Sequence, residues 1–398
     1  MSVIENYPAL RPSFFLDFAN SGRVDPRISC VRASTATCCG PDGKRRTVAS
    51  NVPRIDYDPA TGKCLGLLVE EARTNHCIAP NNLTSSGAWF LEGACSAEYF
   101  AADGGYSVLS VTGATYTARP ASPSISTDLS MVISCEVKRT ATSQKVYVQR
   151  NGYVGSYLRV VYDFNTETVM LLKGGEAVSS GYGAVKLEDG WVRIWVAGAV
   201  RTTEISTNQQ ITLGEVLPGQ SVAVRRFQME AGNFPSSHIP TAGTAVTRAA
   251  ENIQLADLGS WYRRESGTWV ADYMLAERTL SGTETIICAS HKTENSRLQV
   301  RTGVVAARNA AGTQFETVIP VTRSGRIATT YGGGKSSTAK SGVLSAEVDY
   351  TTPVDAQRLH LGVIDTFVAG YWLNGYITRV AYIPAQLTRA QLQRISTT

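Results

Sequence analysis

NVPRIDYDPATGKCLGLLVEEARTN, residues 51–75, runs from extended chain through a turn and back into extended chain. Its middle, Asp56 to Gly62 (DYDPATG), concentrates Asp, Pro and Gly. These supply side-chain bonds to the backbone, a preset φ and access to positive φ, so a tight turn is expected there. The apolar run Leu65 to Val69 follows at once and is closed by Glu70, Glu71 and Arg73. A short apolar run between a turn and charges reads as a buried strand rather than a helix. The stretch therefore reads as a connector, with short cysteine-rich text before it and long strand-rich text after it.

Working outward, 398 residues exceed what one hydrophobic core usually supports, so two or three domains are expected. The chain is 43% hydrophobic and 18% charged, an ordinary globular composition. Its 35 glycines and its Val, Thr, Ser and Tyr content point to an all-β, turn-rich fold. The net charge of +5 is spread along the chain with no basic run, so no nucleic-acid partner is expected. MSVIENYPALRPSFF has neither a basic nor a long apolar segment, and no run reaches the roughly 18 apolar residues of a membrane helix. Neither a signal peptide nor membrane insertion is expected.

Residues 1 to about 28 look irregular apart from the apolar cluster Phe14 to Ala19 (FFLDFA). From Asn81 to Ile239 short alternating segments recur: Ser130 to Arg139, Lys145 to Gln149, Tyr157 to Phe164, Trp191 to Val196 and Ser221 to Gln228. Strands at this spacing, separated by Gly, Asn and Asp turns, read as a β-sandwich of jelly-roll type. In WVRIWV, Trp191, Arg193 and Trp195 share one face and Val192, Ile194 and Val196 the other. The surrounding DGWVRIWVAGAV (Asp189 to Val200) is similar to a strand of carbohydrate-binding modules of that architecture. Trp191 and Trp195 are thereby candidates to stack on sugar rings, and the competing reading buries them against a neighbouring sheet.

Phe234 to Arg248 (FPSSHIPTAGTAVTR), with two prolines and no periodicity, reads as an extended linker in which His238 is a packing residue. Strand patterns resume at Thr268 to Leu275 and continue to Arg358 to Val363. Near the C-terminus, Thr388 and Gln391 have capping-box spacing, Leu387 can staple onto Leu392, and Leu392 with Ile395 would dock one short helix.

Known reaction signatures are missing from the text. TTYGGGKSS (Thr329 to Ser337) lacks the first glycine of a phosphate loop and reads as a Gly-rich hairpin. The four histidines, His76, His238, His291 and His360, are far apart, and Glu70 and Glu71 are neighbours that a strand would face in opposite directions. No catalytic residue, cofactor or metal site is expected. Cys30, Cys38, Cys39, Cys64, Cys77 and Cys95 form a dense group, but without a C-x-x-C pair or a second histidine at ligand spacing for zinc.

SCVRASTATCCGPDGKRRTVASNVPRIDYDPATGKCLGLLVEEARTN (residues 29–75) and FQMEAGNFPSSHIPTAGTAVTRAAEN (residues 227–252) resemble, in the same order, signatures of tailed-bacteriophage virion appendage proteins: head spikes, collars and tail fibres. The ending YWLNGYITRVAYIPAQLTRAQLQRIS (residues 371–396) resembles the closing strand and helix of concanavalin A-like, laminin-G-type sandwiches. The resemblance implies an attachment segment at 1–80, a jelly-roll sandwich at 81–240 and a concanavalin A-like sandwich at 241–398. It implies a non-enzymatic structural protein of the virion, made in the host cytosol and extracellular after lysis. Its partners would be further copies of itself, as a homotrimer or higher, and other virion proteins. A host-glycan adhesin is the alternative. A polysaccharide depolymerase fits less well, because no repeat of about 20–50 residues is present. The family usually lacks cysteines at these positions, which suggests an added covalent reinforcement. The six are therefore disulfide candidates, within or between chains, with reduced thiols as the competing reading.

Overall fold

The computed structural model describes residues 11–120, 130–152, 155–200, 211–212, 219–276, 280–294, 296–309, 312–350, 354–364 and 370–397. The irregular reading of residues 1–10 lies outside them. The fold is all-β, with two β-sandwiches and a short C-terminal helix.

The sandwich nearer the C-terminus is built from both ends of the sequence. One sheet joins Ser324–Gly332, Gly267–Leu275 and Gly375–Ile383 to Cys64–Val69 and Arg54–Tyr57. In it Phe14–Asp17 also pairs with Gly375–Ile383, placing Phe14 opposite Tyr382. The facing sheet begins with Ile28–Val31 against Asn252–Leu255. Phe14, Leu16, Phe18, Ile28, Leu67 and Val69 accordingly lie in the same core as Trp269, Tyr273, Leu361 and Val380. This corrects the expectation of a separate 1–80 segment. The alternating apolar residues of 14–18 and 65–69 need a sheet face to cover, and the C-terminal strands supply it.

Gly267–Leu275 shows how sequence sets the layers. Trp269, Ala271, Tyr273 and Leu275 point into the shared core. Val270 turns to the opposite side, where Leu387, Leu392 and Ile395 cover it. The helix Arg389–Ser396 is fixed there by the expected capping box: Gln391 N donates to Thr388 Oγ1 and Thr388 N donates to Gln391 Oε1 at 3.0 Å. GGGKSS forms the predicted hairpin, with Gly333 (φ 55°) and Gly334 (φ 77°) as the two loop residues.

The other sandwich is one long sheet that folds over on itself. The hairpin strands Lys145–Asn151 and Tyr157–Asp163 supply Val146, Val148, Leu158 and Val160. Met131–Arg139 and Trp191–Ala199 face them with Ile133, Val137, Val192, Ile194 and Val196.

The opening hairpin forms as its residues predict. Asp58 Oδ1 accepts from the backbone of Ala60 (2.9 Å) and Thr61 (2.8 Å), closing the turn between Arg54–Tyr57 and Cys64–Val69. A bulge after the turn sets Gly66 at φ 113°, where an added Cβ would collide with the carbonyl oxygen of Ile377 on the neighbouring strand. Gly66→Ala is therefore expected to destabilise the fold by about 1–3 kcal/mol, read as a lower denaturation midpoint. An unchanged midpoint would mean that this strand pair is not closely registered.

Candidate functional site

The two stretches 29–75 and 227–252 meet between the sandwiches in a buried seam of arginines and glutamates. Glu251, fully buried, accepts from Arg32 Nη1 (2.6 Å), Arg54 Nε (2.8 Å), Arg54 Nη2 (2.7 Å) and the backbone N–H of Glu70 (3.0 Å). Glu70 in turn accepts from Arg54 Nη2 (2.8 Å), Ser237 N (2.8 Å) and Ser237 Oγ (2.6 Å), and pairs with Arg248 at 2.8 Å. Burial alone would raise the Glu70 pKa, but Arg248 and Arg54 outweigh it and hold the carboxylate ionised far below its usual range.

Phe234 to Arg248 is consequently no loose linker. Phe234, Ser236, His238, Ile239 and Arg248 are all buried. His238 is a packing residue: its carbonyl accepts from Thr37 Oγ1 at 2.6 Å, and burial, helped by nearby Arg45, lowers its pKa well below the usual value. It stays neutral.

A second cluster adjoins the first. Glu136 accepts from Arg45 Nη2 (2.6 Å), Arg225 Nε (2.7 Å) and Arg226 Nη1 (2.8 Å). Consecutive residues of a regular strand face opposite ways, so two adjacent arginines should not reach one carboxylate. A bulge opposite Cys135 solves this: the register jumps between Gln228 and Arg225, and Arg226 takes φ 52°. Arg225 Nη2 also reaches Glu188 at 2.8 Å. Burial would raise the Glu136 pKa, yet Arg45, Arg226 and Arg225 bring it down to about 2.

Trp191 and Trp195 are on the predicted face of WVRIWV, but that face is roofed. Trp191 is 3% exposed, stacked under the Arg225 guanidinium at 3.9 Å and edge-on to Tyr106. Trp195 is 2% exposed, its ring lying across Gly181 and Gly183 of the paired strand, which have no side chains to hold it off. Neither ring is open to stack on a sugar, which corrects that assignment. The face is buried because the seam lies over it, with Arg225 on Trp191 and the Ser236 carbonyl on Arg193.

The six candidate cysteines carry thiols, not disulfides. Cys30 belongs to the core of the C-terminal sandwich and Cys77 to that of the other. Burial raises the thiol pKa of Cys30 and Cys38 to about 11 and of Cys39 and Cys77 to about 12. The buried thiols Cys30, Cys38 and Cys77 behave as small apolar side chains, and the structure forms no disulfide within the chain among the six. His76, also in this region, is half-buried, with its pKa lowered by burial.

Beside the seam, a cleft of about 380 Å³ opens between the sandwiches. Its walls come from three sources: Arg193, Trp195 and Val185; Met274, Arg323 and Tyr376; and Arg45, Asp56 and Leu65. Asp56 accepts from the N–H of Cys39 (2.6 Å), the N–H of Tyr57 (3.0 Å) and Tyr376 Oη (3.1 Å). Burial, reinforced by the Asp56 charge, keeps the Tyr376 hydroxyl protonated. That tyrosine serves as a donor. Sequence reading missed this cleft, since its lining is gathered from positions spread across the chain; the one legible hint was the Arg between the two tryptophans.

Among protein-family models and curated sequences, none matches the chain. Among solved structures it is similar to Trypanosoma rangeli sialidase in complex with the inhibitor DANA, at 10% identity and TM-score 0.26, covering 77% of this chain and 63% of that one. The same sialidase in complex with 2,3-difluorosialic acid is matched at 10% identity and TM-score 0.27, covering 93% and 76%. Domains LG4-5 of the mouse laminin alpha1 chain are matched at 9% identity and TM-score 0.22, covering 84% and 91%. Against the expectation that the chain is not an enzyme, the solved structures matched include an enzyme, the sialidase. At these TM-scores the likeness itself assigns this chain no reaction and no ligand.

Proposed function

We propose that the chain is a structural protein of a tailed-phage virion, forming a surface appendage of the head, neck or tail. The observation that supports this reading is the buried seam. The two stretches that resemble the appendage family, 29–75 and 227–252, are separated by most of a sandwich, yet Arg54 and Glu70 of the first bind Arg248 and Glu251 of the second. A charged group buried without its partner costs several kcal/mol, so each stretch depends on the other for its fold. The resemblance thus covers one interdependent unit from which both sandwiches extend.

In this reading the chain assembles with further copies of itself and with other virion proteins, and reaches the extracellular medium on the particle. The test is mass spectrometry of density-purified particles of the phage that encodes it, with chemical cross-linking of the intact particle. Several copies per particle, cross-linked to one another and to a virion protein, are expected. A chain found in the lysate and missing from particles would overturn the proposal.

A further inference from the structure

The cleft between the sandwiches has an excess of cationic donors over free acceptors. Arg193 lines it and is held by two neutral groups, the carbonyl of Ser236 (2.8 Å) and the hydroxyl of Ser134 (2.9 Å). Burial lowers its pKa; Glu230, which reaches it only through Ser236, and the more distant Glu136 and Glu70 offset a part of that loss of water without touching it. Arg45 lines the same cleft. It shares its one carboxylate, Glu136, with Arg225 and Arg226, and its Nε is buried with no hydrogen-bond partner. A buried N–H left unpaired costs about 1–3 kcal/mol, which an incoming acceptor would recover.

The acids on the walls are already committed. Asp56 serves two backbone N–H groups and Tyr376, Glu70 serves Arg54, Arg248 and Ser237, and Asp58 closes its own turn. The remaining lining is largely apolar, including Leu65, Leu68, Val185, Met274 and Pro235.

We propose that this cleft is a binding site for a small monocarboxylate with a ring-sized body, its carboxylate held by Arg193 and Arg45. The largely apolar lining suits an organic body, so an organic carboxylate fits better than inorganic phosphate. A planar guanidinium offers forked donors that match the two oxygens of a carboxylate. The volume of about 380 Å³ lies at the lower end of the roughly 300–1,000 Å³ of small-molecule sites, room for one ring and not for a long chain. This inference stands on the cleft and is independent of the virion reading.

The test uses the full chain, methyl glucuronide as the probe and methyl glucoside as its neutral counterpart, with inorganic phosphate as a third ligand. The chain has six tryptophans. Nitrogen-15 labelling therefore gives six indole N–H signals, and Trp195→Phe identifies the one lining the cleft. Saturable movement of the Trp195 signal by the glucuronide is expected, at least tenfold tighter than by the glucoside or phosphate. Arg193→Gln should weaken the glucuronide at least tenfold while leaving the other five signals in place, which verifies that it folds. Three results would each overturn the proposal: equal response to glucuronide and glucoside, tighter binding of phosphate, or no response of the Trp195 signal to the glucuronide. The wild-type comparison decides the matter even if Arg193→Gln does not fold.

Discussion

Replacing Glu251 with Ala is expected to destabilise the protein by about 3–5 kcal/mol. Among the described residues Glu251 is the one carboxylate bonded to Arg32 and, with Glu70, one of two bonded to Arg54, and the side chains of Glu251, Arg32 and Arg54 lack solvent. Removing it leaves two guanidiniums in a site that water does not reach and strips the Glu70 N–H of its acceptor. A domain's whole stability is only about 5–15 kcal/mol, so the variant should accumulate poorly and unfold at a much lower guanidinium chloride midpoint. Glu251→Gln retains the shape and part of the bonding and should fall between the two. A shift below about 1 kcal/mol for Glu251→Ala would show that the arginines reach water by local rearrangement and that the seam is not a structural centre.

The second large effect is on acid stability. Glu70 and Glu136 have folded-state pKa values below those of an unfolded chain, Glu136 at about 2. Their stabilisation is fully present above the ordinary glutamate value of about 4.5 and is lost as pH falls through the folded values. Glu136 contributes on the order of 3 kcal/mol in this way. Asp56, whose pKa burial raises, acts in the opposite sense and offsets a part of it. Denaturation midpoints should therefore decline gently from pH 7 to about pH 5, because His76, His238 and His360 are held below their usual pKa by burial and charge first in the unfolded chain, and drop steeply toward pH 3, with a shallower drop in Glu136→Gln. Midpoints that hold level down to pH 3 would show that these carboxylates titrate like exposed ones.

What the sequence made legible was whatever depends on near neighbours. The Asp58 turn, the Gly333–Gly334 hairpin and the Thr388/Gln391 cap are decided within a few residues, and all three form as read. The two faces of WVRIWV were also readable, because alternation is a property of the strand itself. What covers those faces was not. Arg225 reaches Trp191 only because a bulge turns the strand, and the glycines that Trp195 lies across are on a neighbouring strand paired with it. The seam was hidden for the same reason: Arg54 and Glu251 look like ordinary surface charges until the partner stretch is placed beside them. Phe234 to Arg248 has the composition of a linker, but its backbone and Ser237 hydroxyl are what the buried charges require.

The pairing of Phe14–Asp17 with Gly375–Ile383 has a consequence for the order of events during synthesis. The first strands of the split sandwich leave the ribosome long before the strands that hydrogen-bond to them. The intervening sandwich, whose described strands fall between Trp89 and Ala231, can close while they wait. Until the strands that follow the intervening sandwich are made, Phe14, Leu16, Leu67 and Val69 lack the core they cover in the folded chain, so the nascent chain exposes apolar surface that chaperones can hold. Joining such distant segments also makes the last step slow. A fragment lacking residues 14–69 would then lose the C-terminal sandwich along with its own residues, so truncation from that end tests folding before it tests attachment.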